Sequence, residues 1–204
     1  MAASDRTGHA DDDTVDVLVV GAGPTGLALA AQLAAFRVRH RIVDRAPDRV
    51  HESRALAIQP RTLEALAGFG VTERLVATGN RGVRLRLHAG HRVVSVPLFD
   101  LGLADTAYPY LLFLSQADTE QILVEHLAAA GVAVRRRVEL TALVPSGDGV
   151  RCELTHADGP VETVTARYVV GCDGAHSAVR RLAGIPFTGG SYPQTFVLAR
   201  WLPA

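Results

Sequence analysis

Between Asp16 and Leu29 the chain reads DVLVVGAGPTGLAL, and no other stretch limits the available folds so strongly. An apolar run from Val17 to Val20 stops at Gly21, Gly23 and Gly26 follow at G-x-G-x-x-G spacing, and an Ala/Leu-rich segment continues to about Ala35. The order is strand, tight turn, helix. Gly21 permits the turn, Gly23 has no Cβ and lets a phosphate group approach the backbone, and Gly26 lets the helix lie close on the strand. Ala22, Pro24 and Thr25 fill the positions between them. The amino-terminus of such a helix faces an anion with unpaired amides and the positive end of its dipole, about 0.3–2 kcal/mol per favourable charge.

A second apolar strand, Arg41 to Val43, ends at Asp44 and Arg45, with Asp44 eighteen residues beyond Gly26. A carboxylate at that point can accept both ribose hydroxyls of an adenosine. Strand, glycines, helix, strand and acid in this order within about thirty residues predict an α/β, Rossmann-like dinucleotide-binding domain.

Length and charge bound the rest. With 204 residues there is enough chain for one good core and part of another domain. Hydrophobic residues make up 48% and charged residues 21%, an ordinary globular balance, and the formal net charge of zero gives no bulk electrostatic reason to expect nucleic acid or a membrane surface as partner. Residues 1–14 are polar and acidic without an apolar core and are expected to form a disordered leader rather than a signal peptide. No run approaches the roughly 18 apolar residues that span a bilayer. The two cysteines, Cys152 and Cys172, form no C-x-x-C and no histidine stands at metal-ligand spacing, so a reducing, cytoplasmic setting without a metal is expected.

Further along, Pro60 suits the first turn of a helix carrying Leu63, Leu66 and Ala67, and Thr72 is expected to cap a short helix closing near Gly79. Alternation from Val83 to Pro97 around His88-Ala-Gly-His91 predicts a hairpin. Ser115 opens an S-x-x-D capping box ahead of a helix that stops at Gly131, and Val132, Val134 and Val138 alternate with arginines as in one half-exposed strand. Strands from Val150 to Thr155 and Val161 to Tyr168 join at an Asp158-Gly159 turn. A further short strand, YVVG, then a turn at Asp173-Gly174 and a helix from about Ser177 to Ala183 follow, with a final strand at Thr195 to Trp201.

GAGPTG with Asp44, SRALAIQPRT after the second strand, and YVVGCDGAHSAVRR together resemble the FAD-dependent aromatic-ring hydroxylases, single-component flavoprotein monooxygenases acting on phenols and aromatic polyketide scaffolds. The resemblance runs from about Val15 to the end. It implies FAD as cofactor, NAD(P)H as electron donor, and O2 and a small aromatic compound as substrates. Site residues follow from it too: Arg54 at the pyrophosphate or flavin, Gln116 bonding the cofactor from its helix start, Asp173 and Gly174 supporting the pyrophosphate and admitting the nicotinamide, and Arg180 closing the motif. The protein's task would be to hold the flavin, seat the ring and exclude water, with no protein nucleophile.

Members of that family usually run to about twice this length. The resemblance therefore divides the chain into an FAD-binding domain over 15–187, whose 83–97 hairpin belongs to the substrate sheet, and the start of a truncated substrate domain over 188–204. Such a chain alone is expected to fall short of hydroxylation, and its unpaired last strand to invite self-association. A non-catalytic FAD-binding or partner-binding remnant, and an NAD(P)-dependent dehydrogenase sharing the fingerprint, remain alternatives.

Overall fold

The computed structural model describes residues 14–49, 56–81, 84–97 and 105–190. Residues 1–13 of the expected leader, Arg54 and the expected last strand lie outside these residues, while Thr14, assigned to that leader, is the first residue of a strand because it pairs with Thr165.

Strand β1 (Thr14–Val20), helix α1 (Pro24–Ala35) and strand β2 (His40–Asp44) form the unit that the glycine fingerprint predicts. Then come β3 (Ala57–Ile58), α2 (Pro60–Ala67), α3 (Thr72–Thr78), the hairpin β4 (Arg84–Ala89) and β5 (Arg92–Pro97), β6 (Leu112–Phe113) and α4 (Gln116–Ala129). The chain closes with β7 (Val134–Arg136), β8 (Val138–Ser146), β9 (Gly149–His156), β10 (Val161–Gly171) and α5 (Ala178–Leu182). One sheet of six strands runs in the order β7-β2-β1-β10-β9-β8. Strands β7, β2, β1 and β10 are mutually parallel, and β8, β9 and β10 form an antiparallel meander in which β10 is shared. Placing β1 between β2 and β10 brings both carboxy-terminal ends, Asp44 and Gly171, beside Gly21, where open α/β sheets bind ligands.

Each face of this sheet has its own core. Val17, Val19 and Ile42 point toward α1 and α4 and pack against Leu27, Ala30, Ala31, Leu123 and Leu127. Leu18, Val20 and Val43 point the other way, onto Val138, Leu140, Cys152, Leu154 and Val164 of the antiparallel strands. Period-two alternation along a two-sided buried strand requires this division. Each fully buried leucine contributes about 1.5–3 kcal/mol.

Three local expectations need correction, and one strand pair was not foreseen. Thr72 caps nothing: Val71 holds the cap position of α3 and the Thr72 hydroxyl donates to the Leu63 carbonyl at 2.6 Å, so a buried bond to α2 replaces the cap. The arginine-rich strand after Gly131 is two strands, because Arg137 adopts a left-handed φ of 59° that ends the parallel β7 and starts the antiparallel β8. The strands read as Val161 to Tyr168 and YVVG are one, β10, whose first half pairs with β9 and whose second half pairs with β1. The two-residue strands β3 and β6, which pair antiparallel, were too short to leave a period in the sequence. Ser115 does cap α4, accepting from the Asp118 amide at 3.1 Å.

Between the meander and the parallel strands lies a charged cluster. Arg41, only 4% exposed, donates to Glu162 at 2.5 Å, and Arg135 and His156 stand 3.5 and 3.1 Å from the same carboxylate. Burial pushes the Glu162 carboxyl up, but the bonds from His156 and Arg41 and the charges of Arg41 and Arg135 outweigh it and leave the group below its ordinary 4.5. A depressed carboxyl stabilises the fold above its unfolded-state value and loses that contribution as pH falls through the folded one. Glu162→Gln should therefore lower stability at neutral pH by about 2–3 kcal/mol, since Arg41 keeps a buried charge. The deficit should shrink below pH 4.5 in urea melts taken across the acid range; a deficit that stays constant down to pH 3 would exclude Glu162 as the titrating anchor.

Candidate functional site

Gly21 takes a φ of +104°, open to glycine alone at no cost, and its amide donates to the Val43 carbonyl at 2.8 Å, which locks the turn between β1 and β2. A methyl group on Gly26 would overlap the Gly21 carbonyl oxygen, so α1 can cross β1 this closely only with hydrogen at that position. Gly23 differs: a Cβ there would meet nothing within 4 Å, because the position opens onto a cleft. The close-packing and close-approach roles expected of Gly26 and Gly23 thus separate cleanly in space.

The cleft has a volume of about 560 Å³ and runs along the carboxy-terminal edge of the parallel strands. Gly21, Ala22, Gly23, Asp44, Arg45, Gln116, Asp173 and Gly174, all singled out in the sequence, line it together. Pro24 and Thr25 line an adjoining, more apolar cavity of about 390 Å³ between α1, α2 and α4, and Gln116 stands in the walls of both. Gly26 lies buried beneath the loop. Arg180 lies outside the lining of both cavities: its guanidinium donates to the Ala175 carbonyl at 2.8 Å and covers the Phe187 ring at 4.5 Å, which holds the segment after Gly174.

Asp44 is positioned from two sides. Its Oδ2 accepts from the Ala22 amide at 2.5 Å and its Oδ1 from the Ala46 amide at 2.8 Å, so the glycine loop and the loop after β2 meet on one carboxylate. Two of its four lone-pair sites remain. Asp173 is engaged more fully. It accepts from the Ser177 hydroxyl at 2.6 Å and from the Ala178 and Val179 amides at 2.5 and 3.3 Å, while the Ser177 hydroxyl accepts from the Arg180 amide at 3.0 Å. That carboxylate fastens α5 and leaves Gly174, at a φ of +74°, to turn the backbone along the cleft.

Sequence reasoning missed Glu120, Arg136 and His176, which also line the cleft. Glu120 is 1% exposed and accepts from Gln116 Nε2 at 2.9 Å, one helical turn away, a spacing the sequence does display. Arg136 left no such signal, because β7 meets β2 only through the tertiary fold. Burial, then the charge of Asp173, raises the Cys172 thiol above its ordinary value, which suits a packing role beside the glycine loop. Among the described residues no helix is long and apolar enough to cross a membrane.

A family profile described as an FAD binding domain matches residues 14–200. The chain belongs to that family. It is 44% identical over 177 residues to 6-methylpretetramide 4-monooxygenase of Streptomyces rimosus, covering 87% of this chain and 32% of that protein. It is 41% identical over 181 residues to rifampicin monooxygenase of Streptomyces venezuelae, covering 85% of this chain and 35% of that protein. Among solved structures, the flavin-dependent monooxygenase PieE in complex with FAD and substrate superposes with a TM-score of 0.79 at 30% identity, over 88% of this chain and 33% of PieE. The chain thus spans about a third of the length of these relatives. The expected family and α/β fold hold.

The residues present fit the cofactor of this FAD-binding family. Gly23 offers backbone without side-chain cover, the first amides of α1 have no intrahelical acceptor, and an acid stands at the end of β2 across the same cleft. Asp173→Ala removes three acceptor contacts at once and should destabilise the fold by about 1–3 kcal/mol. Asp173→Asn, which keeps one acceptor oxygen, should lose less, and thermal melts ranking the two variants equal would contradict the fastening role.

Proposed function

We propose that this chain supplies the FAD-binding part of a monooxygenase that uses NAD(P)H and O2 to hydroxylate an aromatic substrate, phenolic or polyketide in type. The observation that carries the reading is the single cleft shared by the glycine loop, Asp44 and the Asp173-Gly174 turn, in a chain of the FAD-binding family whose relatives are named as monooxygenases. The names of those relatives support an aromatic substrate class, and the work of hydroxylation belongs to the whole protein.

The chain's own residues divide the task. Gly21 to Gly26 would receive the pyrophosphate, with α1 directing its amides and dipole at the anion and Gly23 giving it room. Asp44 would accept from the adenosine ribose, with Arg45 beside it. Gln116, between the two cavities, would bond the cofactor where it leaves the cleft toward the flavin end. Asp173, Gly174 and Arg180 would keep the opposite wall in place, and Arg54 would add its planar, always charged fork. Bound FAD would supply the electron transfer and oxygen activation that side chains lack. A cytoplasmic setting, where the nicotinamide donor is available, suits this chemistry.

The purified chain should bind FAD, seen as quenching of flavin fluorescence on titration. Asp44→Ala removes a charge-assisted acceptor and should weaken FAD binding by roughly ten- to a hundredfold, about 1.5–3 kcal/mol. Full affinity in an intact Asp44→Ala fold would remove this acid from the site. Arg54→Lys keeps the charge but not the fork, and should weaken FAD retention measured by gel filtration.

A further inference from the structure

Resting on the FAD reading above, we propose that Arg136 is a second determinant of the adenosine end, and that it and Asp44 read the ribose cis-diol as an acceptor and donor pair. Arg136 ends β7 in register with Asp44 at the end of β2, so the parallel pairing itself sets the two side chains side by side. Its Nη1 stands 3.7 Å from Asp44 Oδ2 and 3.4 Å from the Asp48 carbonyl oxygen to which it donates. Both contacts use the same nitrogen. The three N–H groups on Nη2 and Nε have no acceptor among the described residues, although the side chain is only 19% exposed and forms part of the cleft wall.

A guanidinium so placed does more than orient Asp44. The carboxylate is already fixed by the Ala22 and Ala46 amides, one on each oxygen, and needs no third anchor. What the pair offers the cleft is two remaining lone-pair sites on Asp44 next to unused N–H donors on Arg136. A hydroxyl both donates and accepts, so two vicinal hydroxyls match this arrangement: they donate to the carboxylate while an oxygen of the diol accepts from the guanidinium. A phosphate would satisfy Arg136 but would be repelled by Asp44. An adenine edge also sets a donor beside an acceptor, but the acid that ends the second strand of this fold stands where the ribose hydroxyls lie, which favours the diol. The ligand class is therefore a ribonucleoside, discriminated from its 2′-deoxy form.

The test is calorimetric titration of the full chain with ADP and with 2′-deoxy-ADP, and fluorescence titration with FAD and FMN. The unaltered chain should prefer ADP over 2′-deoxy-ADP. Arg136→Ala should weaken ADP and FAD about tenfold, bring ADP and 2′-deoxy-ADP closer together, and leave FMN, which has no adenosine, unchanged. Arg136→Lys retains the charge beside Asp44 but not the fork, and should lose affinity nearly as far, with circular dichroism confirming that the fold survives. Affinity for ADP and the ADP to 2′-deoxy-ADP ratio equal to the parent's in Arg136→Ala would overturn the donor role while leaving FAD binding standing, and full restoration by Arg136→Lys, which keeps the charge and N–H donors, would overturn the forked geometry of the readout. A parent chain that binds neither ADP nor FAD would overturn the cofactor reading itself, and this inference with it.

Discussion

Everything in the cleft depends on how closely α1 can approach β1. The Gly21 carbonyl lies against the Cα of Gly26, and the space that a single methyl group would need is already taken by backbone. That contact fixes where the first turn of α1 begins, hence where its unpaired amides point. The Gly21 amide bonded to Val43 then ties the same turn to the end of β2, and the Cys172 amide bonded to Val20 ties it to the end of β10. Three strand ends converge on one loop because hydrogen replaces side chain at two positions.

How much of this was legible depended on the range of the forces involved. The glycine turn, the Ser115 cap and the Asp158-Gly159 hairpin turn are set by neighbours within a few residues, the acid at Asp44 follows the glycines at a characteristic spacing, and each left its mark in the chain. Arg136 could not be read, since β7 has three residues and acquires its meaning only by lying beside β2. The engagement of Asp173 with α5 was half visible, because Ser177 and Asp173 are four residues apart, but the sequence could not say that the helix would claim the carboxylate.

Arg137 marks the other place where sequence pattern and fold part company. Alternating valines and arginines look like one strand, yet the left-handed residue between β7 and β8 turns a parallel edge into an antiparallel meander. Its amide donates to the Ala46 carbonyl and its carbonyl accepts from Ala157, so tertiary bonds hold a conformation that the residue type does not favour. The same Ala46 donates to Asp44, and the break in the strand and the placement of the acid are consequently one local structure.

Strand β10 belongs to two pairings at once. Thr165 and Ala166 face β9 on one side and β1 on the other, and the strand ends at Gly171, directly before Cys172 and Asp173 of the cleft wall. A meander hung on a separate strand could open and close without disturbing the nucleotide-binding edge. Here it cannot: fraying of β9 strips one flank of the strand that carries the Asp173 loop, and loosening of that loop pulls on the meander's own register. The two layers should therefore act as one cooperative unit in amide exchange, with the protection of β9 and that of the cleft wall rising and falling together.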